Sequence, residues 1–575
     1  MMLFPSDYMM IACFFQAQKS DAAIIVAPDF MFAYNDFKWY TCDPYTDSFS
    51  RGRYMVFYEV IFLKNKTILA STILVALASI SVRFFGYLRE VTLAATYGAG
   101  MVSDAFIIAF TVPSIVLVLF GATTATVFIP AYSGVERDKS RFMSNVLTLL
   151  VLIGFLFTAI FTIFPQSLVF LFASQLDGAA FSLATELLRI MVWVAVPTLV
   201  VGILQSYLQI KNAFFLASIL IIPINVYAIL SILLSGSLGQ YSIMGYGVVA
   251  GNFMALIVLY TAVYFKGYVY KPVVDLKMPG LRGLLVLIAP IMITTFISDI
   301  NLIVDRNFAS SLASGTISSL NYAGKTVNIL ITILGVSLAT VLYPRMSEFA
   351  ANNNIAEIRR CVTGCIKMLI PVLLPATLGI ILLAEPIVRI IFERGEFTQE
   401  NTQMAMESLR MYAPLLFSSS INAIIIRAFF SMRDTKTPAI ISAVGVAVSI
   451  GINFILIGPL AHMGLALSTS ISSMLAMVLL LFTLRKRVGL LQLKRNIREW
   501  VKVLVATAVM GLVVTLGYVF LPVMGGGTIQ CILLTGGLVV AGIGVYILMN
   551  LAMRTVFISE SMQLAKSFVA KRRDG

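Results

Sequence analysis

Ionisable side chains interrupt several of the long apolar stretches in this chain. Arg83, Arg89 and Glu90 fall in one stretch, and Asp104 opens the next. Asp299, Asp305 and Arg306 fall in a later stretch, followed by Lys325. A charge inside a hydrocarbon layer costs at least about 2.5–3.5 kcal/mol on insertion scales, so each should face a wet cavity or a partner. At about 1.5 Å per residue, Arg83 lies roughly 20 Å and Arg89 roughly 12 Å from the outer end of their stretch. Lys325 is near mid-depth of its own. A guanidinium presents a fork of donors that grips two phosphate oxygens at once. Arg83, Arg89 and Lys325 are therefore candidate contacts for an anionic, phosphate-bearing substrate. Asp104 is a fourth candidate, or else a structural partner. The competing reading is internal pairing, since Arg83 and Glu90 are seven apart on one helix face. Asp305 with Asn453 is a candidate site for a coupling cation, against the plainer reading of an ion pair with Arg306 or a neighbouring helix. The lone histidine, His462, reads as a solvated residue of a short outer loop, with a proton relay as the alternative. Cys361 and Cys365 stand at i, i+4, but a metal needs more ligands than the chain supplies there, so neither metal nor disulfide is expected.

The elements that must position these groups follow from composition. Of 575 residues, 59% are hydrophobic and 12% charged. A soluble chain carries about 25% charged residues, and mean hydropathy here is +0.95. Apolar runs of about 20 residues recur along the chain, and such runs read as transmembrane helices. The net charge of +14 would suggest nucleic acid in a soluble protein. No nucleic-acid motif accompanies it, and basic loops that fix topology explain it better. The first 60 or so residues carry aromatics, Asp and Lys without a clean apolar span or a basic segment before one. They read as no signal peptide, but as a poorly ordered extension or the product of an upstream start codon.

Spans are expected near 67–97, 102–132, 143–172, 182–209, 213–235, 242–265, 283–309, 316–344, 364–388, 402–430, 437–459, 463–484, 500–521 and 528–552. Basic residues then collect in alternate loops: Lys64 and Lys66; Lys139 and Arg141; Lys211; Lys266, Lys271 and Lys277; Arg359 and Arg360; Arg433 and Lys436; Arg485 to Arg487. The opposite loops are nearly free of charge, except for Arg389 to Glu400. Such alternation places both termini in the cytoplasm.

The chain also repeats itself. Ala125-Thr-Val-Phe-Ile-Pro130 is matched 214 residues later by Ala339-Thr-Val-Leu-Tyr-Pro344. Arg89 precedes Asp104 by the same 15 residues that separate Arg306 from Asn321. The expected fold is an all-α polytopic membrane protein of about 14 transmembrane helices. Residues 1–64 form the extension. Residues 65–270 and 280–485 form two parallel six-helix lobes, 497–555 two additional carboxy-terminal helices, and 556–575 a basic cytoplasmic tail. Two parallel lobes suit a transporter with its site at the midplane between them.

Ser79-Ile-Ser-Val-Arg83-Phe-Phe-Gly86-Tyr-Leu-Arg89-Glu90, Tyr97-Gly98-Ala-Gly100 and Ser103-Asp104-Ala105-Phe106 resemble the opening of the MurJ/MviN lipid II flippase family. Asn321-Tyr322-Ala323, Gly395-Glu-Phe397, Arg427-Ala-Phe-Phe430, Asp434-Thr-Lys-Thr-Pro438 and Gly464-Leu-Ala-Leu-Ser468 extend the resemblance over about residues 65–555. It implies the multidrug/oligosaccharidyl-lipid/polysaccharide exporter fold, a V-shaped cavity of alternating access, and a bacterial inner-membrane location. It implies an undecaprenyl-diphosphate-linked peptidoglycan precursor as substrate, membrane lipids around the chain, and cell-wall synthesis enzymes as partners. Arg83, Arg89, Asp104 and Lys325 fall on family positions tied to function, and Asp305 falls near a proposed cation site. Ile115 to Leu119 carry no basic residue where relatives often do, Gly121 to Thr124 replace an acidic motif, and position 325 is Lys where Arg is frequent. A flippase for another polyprenyl-diphosphate-linked glycan is the alternative. A drug/cation antiporter would want an acidic cavity. A membrane glycosyltransferase would want an acidic cluster with Mg²⁺. The expectation is a transporter without cofactor, coupled to Na⁺, H⁺ or membrane potential.

Overall fold

The computed structural model describes residues 66–135, 138–278, 280–491, 497–521, 523 and 527–555. It also describes a short antiparallel pairing of Val26–Ala27 (β1) with Phe30–Met31 (β2). Met1–Leu69 forms one unit and Ala70–Gly575 another. Apart from β1 and β2, the expected extension at 1–64 lies outside the described residues, as does the basic tail at 556–575.

The second unit is helical. In chain order the helices are α1 Lys66–Tyr97, α2 Met101–Gly134, α3 Lys139–Ile163, α4 Pro165–Phe172 and α5 Gly178–Ile210. Next come α6 Phe214–Leu238, α7 Ser242–Phe265, α8 Leu281–Ser310, α9 Thr316–Ala351 and α10 Ile355–Leu382. The last are α11 Ala384–Phe392, α12 Gln399–Ser431, α13 Lys436–Val488, α14 Ile497–Phe520 and α15 Thr528–Ala552. Among the described residues, eleven helices are long and apolar enough to cross a membrane.

Two expected spans divide. The span near 143–172 breaks before Pro165, which sits in the first turn of α4, where its missing N–H costs nothing. The span near 364–388 divides between Leu382 and Ala384 into α10 and α11. The two spans at 437–459 and 463–484 join into the 53-residue α13. A straight helix of that length would measure about 80 Å, more than twice a hydrocarbon core of about 30 Å. Ala461 (φ 45°, ψ −125°) breaks it into two antiparallel halves.

Both α2 and α9 contain a π-helical turn, Leu117–Ala122 and Thr332–Val336. The starts of the two turns are 215 residues apart, close to the offset of the sequence repeat. A π turn inserts one residue into the i→i−4 ladder and is frequent at functional sites.

Three buried clusters form the core. One joins Leu93, Phe106, Ile108 and Leu187 to Ile317, Leu320, Leu465 and Ala466. It therefore runs across the two halves of the repeat. A second surrounds Phe128, Phe142, Leu204 and Tyr268, and takes in Leu281, Leu284 and Ile288 from the start of α8. The third packs α14 and α15 through Ala506, Met510 and Leu538 against Leu383. The stretch between α7 and α8 is fastened to α3. Ser144 bonds to the Tyr268 hydroxyl (2.9 Å) and Thr148 to the Tyr270 hydroxyl (2.9 Å). Asn145 pairs with Asp275 in both directions, donating to its carbonyl (2.7 Å) and accepting from its N–H (2.8 Å).

Candidate functional site

The charge-poor end of the bundle is knitted together across the repeat. Asp104, at the start of α2, accepts from the backbone N–H of Gly315 (2.7 Å) and of Ser318 (2.7 Å). A carboxylate there satisfies two of the four unpaired donors of α9 and sits on the positive end of its dipole. Asn401 is held in the capping box that opens α12. Its side chain accepts from Ala99 N–H (3.1 Å) and donates to Ala99 C=O (3.0 Å). The N–H of Glu396 donates to Ala95 C=O (2.9 Å). Two glycines permit this approach. Gly315 (φ 89°) would place a Cβ 2.4 Å from Ala99 O, and Gly395 (φ 60°) would place one 2.1 Å from Ala95 O.

Below this seam lies a buried polar cluster. The Arg89 guanidinium contacts Glu90 (2.6 Å) and stacks over the Phe110 ring, 4.4 Å from its centroid. Glu90 also accepts from the Asn321 amide (2.9 Å). Arg306 donates to Asn321 Oδ1 (3.0 Å) and to Ile317 C=O (2.9 Å). Asn321 thus bridges two arginine–acceptor systems, one from each half of the repeat. All three charged residues are at most 8% exposed. Burial at this depth requires such pairing.

The sequence places Arg83, Arg89, Lys325 and Asp104 at one substrate site; the structure keeps Lys325 close to Glu90 and Arg89, and gives Asp104 to the backbone of α9. Arg83 and Lys325 are exposed at mid-helix, one on α1 and the other on α9. Arg83 also reaches Thr332, the first residue of the π turn in α9 (3.3 Å). Tyr87, one turn above, bonds to Thr326 (3.0 Å). These two contacts lie deeper than the seam and join α1 to α9. Arg89 and Asp104 are held by partners within the protein. Arg89 is closed off by Glu90 and Phe110, and both carboxylate oxygens of Asp104 are engaged by α9. The alternative pairing of Arg83 with Glu90 is not formed.

The Asp305 reading fares differently. Asp305 Oδ1 accepts from Asn453 (2.7 Å), and Oδ2 from Asn301 (3.0 Å) and Thr469 (3.4 Å). Asn453 in turn accepts from Ser468. Arg306 directs its guanidinium to Ile317 and Asn321, so Asp305 and Arg306 form no direct ion pair. Asp305 and Asn453, named together from the sequence, are in contact, while Thr469 and Ser468 are residues the sequence does not single out. Their signal is weak, because hydroxyls on an apolar helix usually bond back to their own carbonyls.

His462 requires a correction. It is no solvated loop residue, for its side chain is 13% exposed and Nε2 lies 3.1 Å from Glu407 of α12. The break at Ala461 turns it inward. Cys361 and Cys365 are buried and free. Among the described residues no cluster of His, Cys, Asp and Glu could hold a metal ion.

A family model described as lipid II flippase MurJ matches residues 93–532. A probable lipid II flippase MurJ of Rickettsia prowazekii (strain Madrid E) is 28% identical, covering 71% of this chain and 82% of its own. A lipid II flippase MurJ of Burkholderia cenocepacia is 26% identical, covering 70% of this chain and 81% of its own. Among solved structures, a lipid II flippase MurJ in an inward closed conformation superposes with a TM-score of 0.72 at 24% identity, covering 84% of this chain and 99% of its own. An inward-facing multidrug MATE transporter of the MOP superfamily superposes with 0.63 at 14% identity, covering 72% and 99%.

Proposed function

The chain belongs to the lipid II flippase MurJ family, and on that premise we propose a route for its lipid-linked cargo and a source of drive. The protein is a multi-pass membrane transporter rather than an enzyme, and it translocates lipid II. The basic end is cytoplasmic, as are both termini, and the membrane is the bacterial inner one. The diphosphate reaches Arg83 and Lys325 from the cytoplasmic side, while the polyprenyl chain stays in lipid. The lobes then rock, the seam at Asp104, Asn401 and Glu396 opens, and the headgroup leaves on the far side. Differential affinity of the two states for cargo is what shifts them.

One observation carries this route. Arg83 and Lys325 come from different halves of the repeat and are exposed at mid-depth, while the charge-poor end is sealed by backbone-level contacts. Arg83 forms no ion pair among the described residues, and Lys325 shares Glu90 with Arg89 and Arg306, so cations are in excess there and a diphosphate supplies the missing anion. Arg89 joins the site only when the seam opens and Glu90 releases it. The cycle is driven by a cation at Asp305 and Asn453, or by the membrane potential, which contributes about 2.3 kcal/mol per charge per 100 mV. Cell-wall synthesis enzymes are the partners that consume the product.

The test is complementation. The resident lipid II flippase of a bacterium is depleted, and this chain is expressed beside Arg83→Ala and Lys325→Ala at matched membrane levels. Wild type should rescue growth, and each variant should lose rescue or flip at least tenfold more slowly. Rescue surviving both substitutions would remove the site. No rescue by well-expressed wild type would point to another polyprenyl-linked glycan.

A further inference from the structure

Asp305 is bound by residues from α8 and from both halves of α13. One helical turn toward the basic end, about 6 Å away, each of these segments carries another polar side chain on the same face. Asn301 lies four residues before Asp305, Ser449 four before Asn453, and Ser473 four after Thr469. The first two segments run toward the charge-poor end and the third runs back from it. All three steps therefore lead the same way. Ser473 gathers a further helix. It bonds to Ser418 (2.8 Å) and Ser419 (3.1 Å), and Asn422 donates to its carbonyl (3.2 Å), all from α12.

Three oxygens of this second tier are buried without a hydrogen-bond partner: Asn301 Oδ1, Ser449 Oγ and Asn422 Oδ1. Ser449 is 0% exposed. A buried acceptor left unpaired is destabilising, and alanine would fill a packing role without that penalty. Two carboxamide oxygens and a hydroxyl are ligands of the hard-cation type. The tier carries no charge of its own, so a cation held there is held loosely, as passage between adjacent sites requires. The other direction is shut by apolar packing. Ala309, four residues beyond Asp305, and Leu465, four before Thr469, are buried in the core there with Ala466.

We propose that Asn301, Ser449 and Asn422 form a second, transient site for a monovalent cation, sodium being the probe of choice, through which the Asp305 site exchanges with the basic-end solvent. The proposal rests on the reading of Asp305 and Asn453 as a cation site.

The test uses the full chain reconstituted in lipid vesicles, with radioactive sodium and choline as the replacing ion. Each variant is first required to elute as wild type on size exclusion. The double variant Ser449→Ala/Asn422→Ala should exchange bound sodium at least tenfold more slowly than wild type, while Asp305→Asn should retain none. Asn422→Asp adds a carboxylate to the tier and should raise retained sodium from one ion to two per chain, an outcome that a packing defect does not produce. Wild-type exchange in the double variant, or one ion in Asn422→Asp, with sodium still lost in Asp305→Asn, overturns the second tier and leaves the Asp305 reading standing. Sodium retained equally by wild type and Asp305→Asn, or by neither, overturns both.

Discussion

Arg83 and Arg89 are the same residue type, six positions apart on one helix, yet the fold gives them different surroundings. Arg83 is exposed and reaches Thr332 of α9. Arg89 is enclosed by Glu90, Phe110 and, through Glu90, Asn321. Removing one partner of a buried ion pair leaves the other uncompensated and costs about 3–5 kcal/mol. Glu90→Ala should therefore lower the thermal unfolding midpoint of purified protein strongly, whereas Arg83→Ala should leave it near wild type. A Glu90→Ala protein as stable as wild type would mean that Arg89 finds another anion. The sequence places Arg83 and Lys325 within long apolar runs and names Asp305 and Asn453 together. It does not show the roles of Asp104 and Arg89. Asp104 works on backbone donors 211 and 214 residues away, and backbone donors carry no residue-type signature.

At the scale of elements, long apolar runs made the helices legible, and charge alternation set their order. The breaks were less legible, because Ala461 has no side chain that announces a positive φ, and the burial of His462 follows from that break. The close approach of the loops is a property of glycines that look ordinary in the sequence. Gly315→Ala should wedge α9 away from Ala99, since its Cβ would stand 2.4 Å from a carbonyl oxygen. The expected result is a spin-label distance distribution at the charge-poor end that shifts outward, with flipping lost. An unchanged distribution would show that the loop yields at no cost. The turn between α12 and α13 gives a pH dependence. Partial burial pushes the Asp434 carboxyl up, but the Thr437 N–H and hydroxyl and the Arg487 guanidinium outweigh it, and the net pKa is lowered. The folded value lies below the unfolded one of about 3.9. This stabilisation is thus complete above that value and is lost as pH falls through the folded one. The unfolding midpoint of wild type should fall more steeply in that acid range than that of Asp434→Asn. Parallel curves would mean that Asp434 contributes nothing.

For the whole molecule, the seam at one end and exposed cations at mid-depth describe one half of a transport cycle. Asp104→Ala removes the cap that joins α2 to α9, worth about 0.5–2 kcal/mol. That is enough to change a two-state ratio by roughly twofold to thirtyfold. Spin labels at the charge-poor end should report a larger open fraction in this variant than in wild type, and an equal fraction would place the closure elsewhere.

The path of α8 bears on how the protein is made. Its first turns, through Leu281, Leu284 and Ile288, complete a core whose other members all precede Tyr270 in the chain, apart from Met278. Asn145 meanwhile waits for Asp275 to be synthesised before its amide is satisfied. A nascent chain with only the residues up to 270 clear of the ribosome would hold six helices around an unfinished interior, open to protease at the basic end. One with the residues up to 320 clear of the ribosome would hold them closed. The first half of this repeat protein therefore finishes folding only after the second has begun to leave the ribosome.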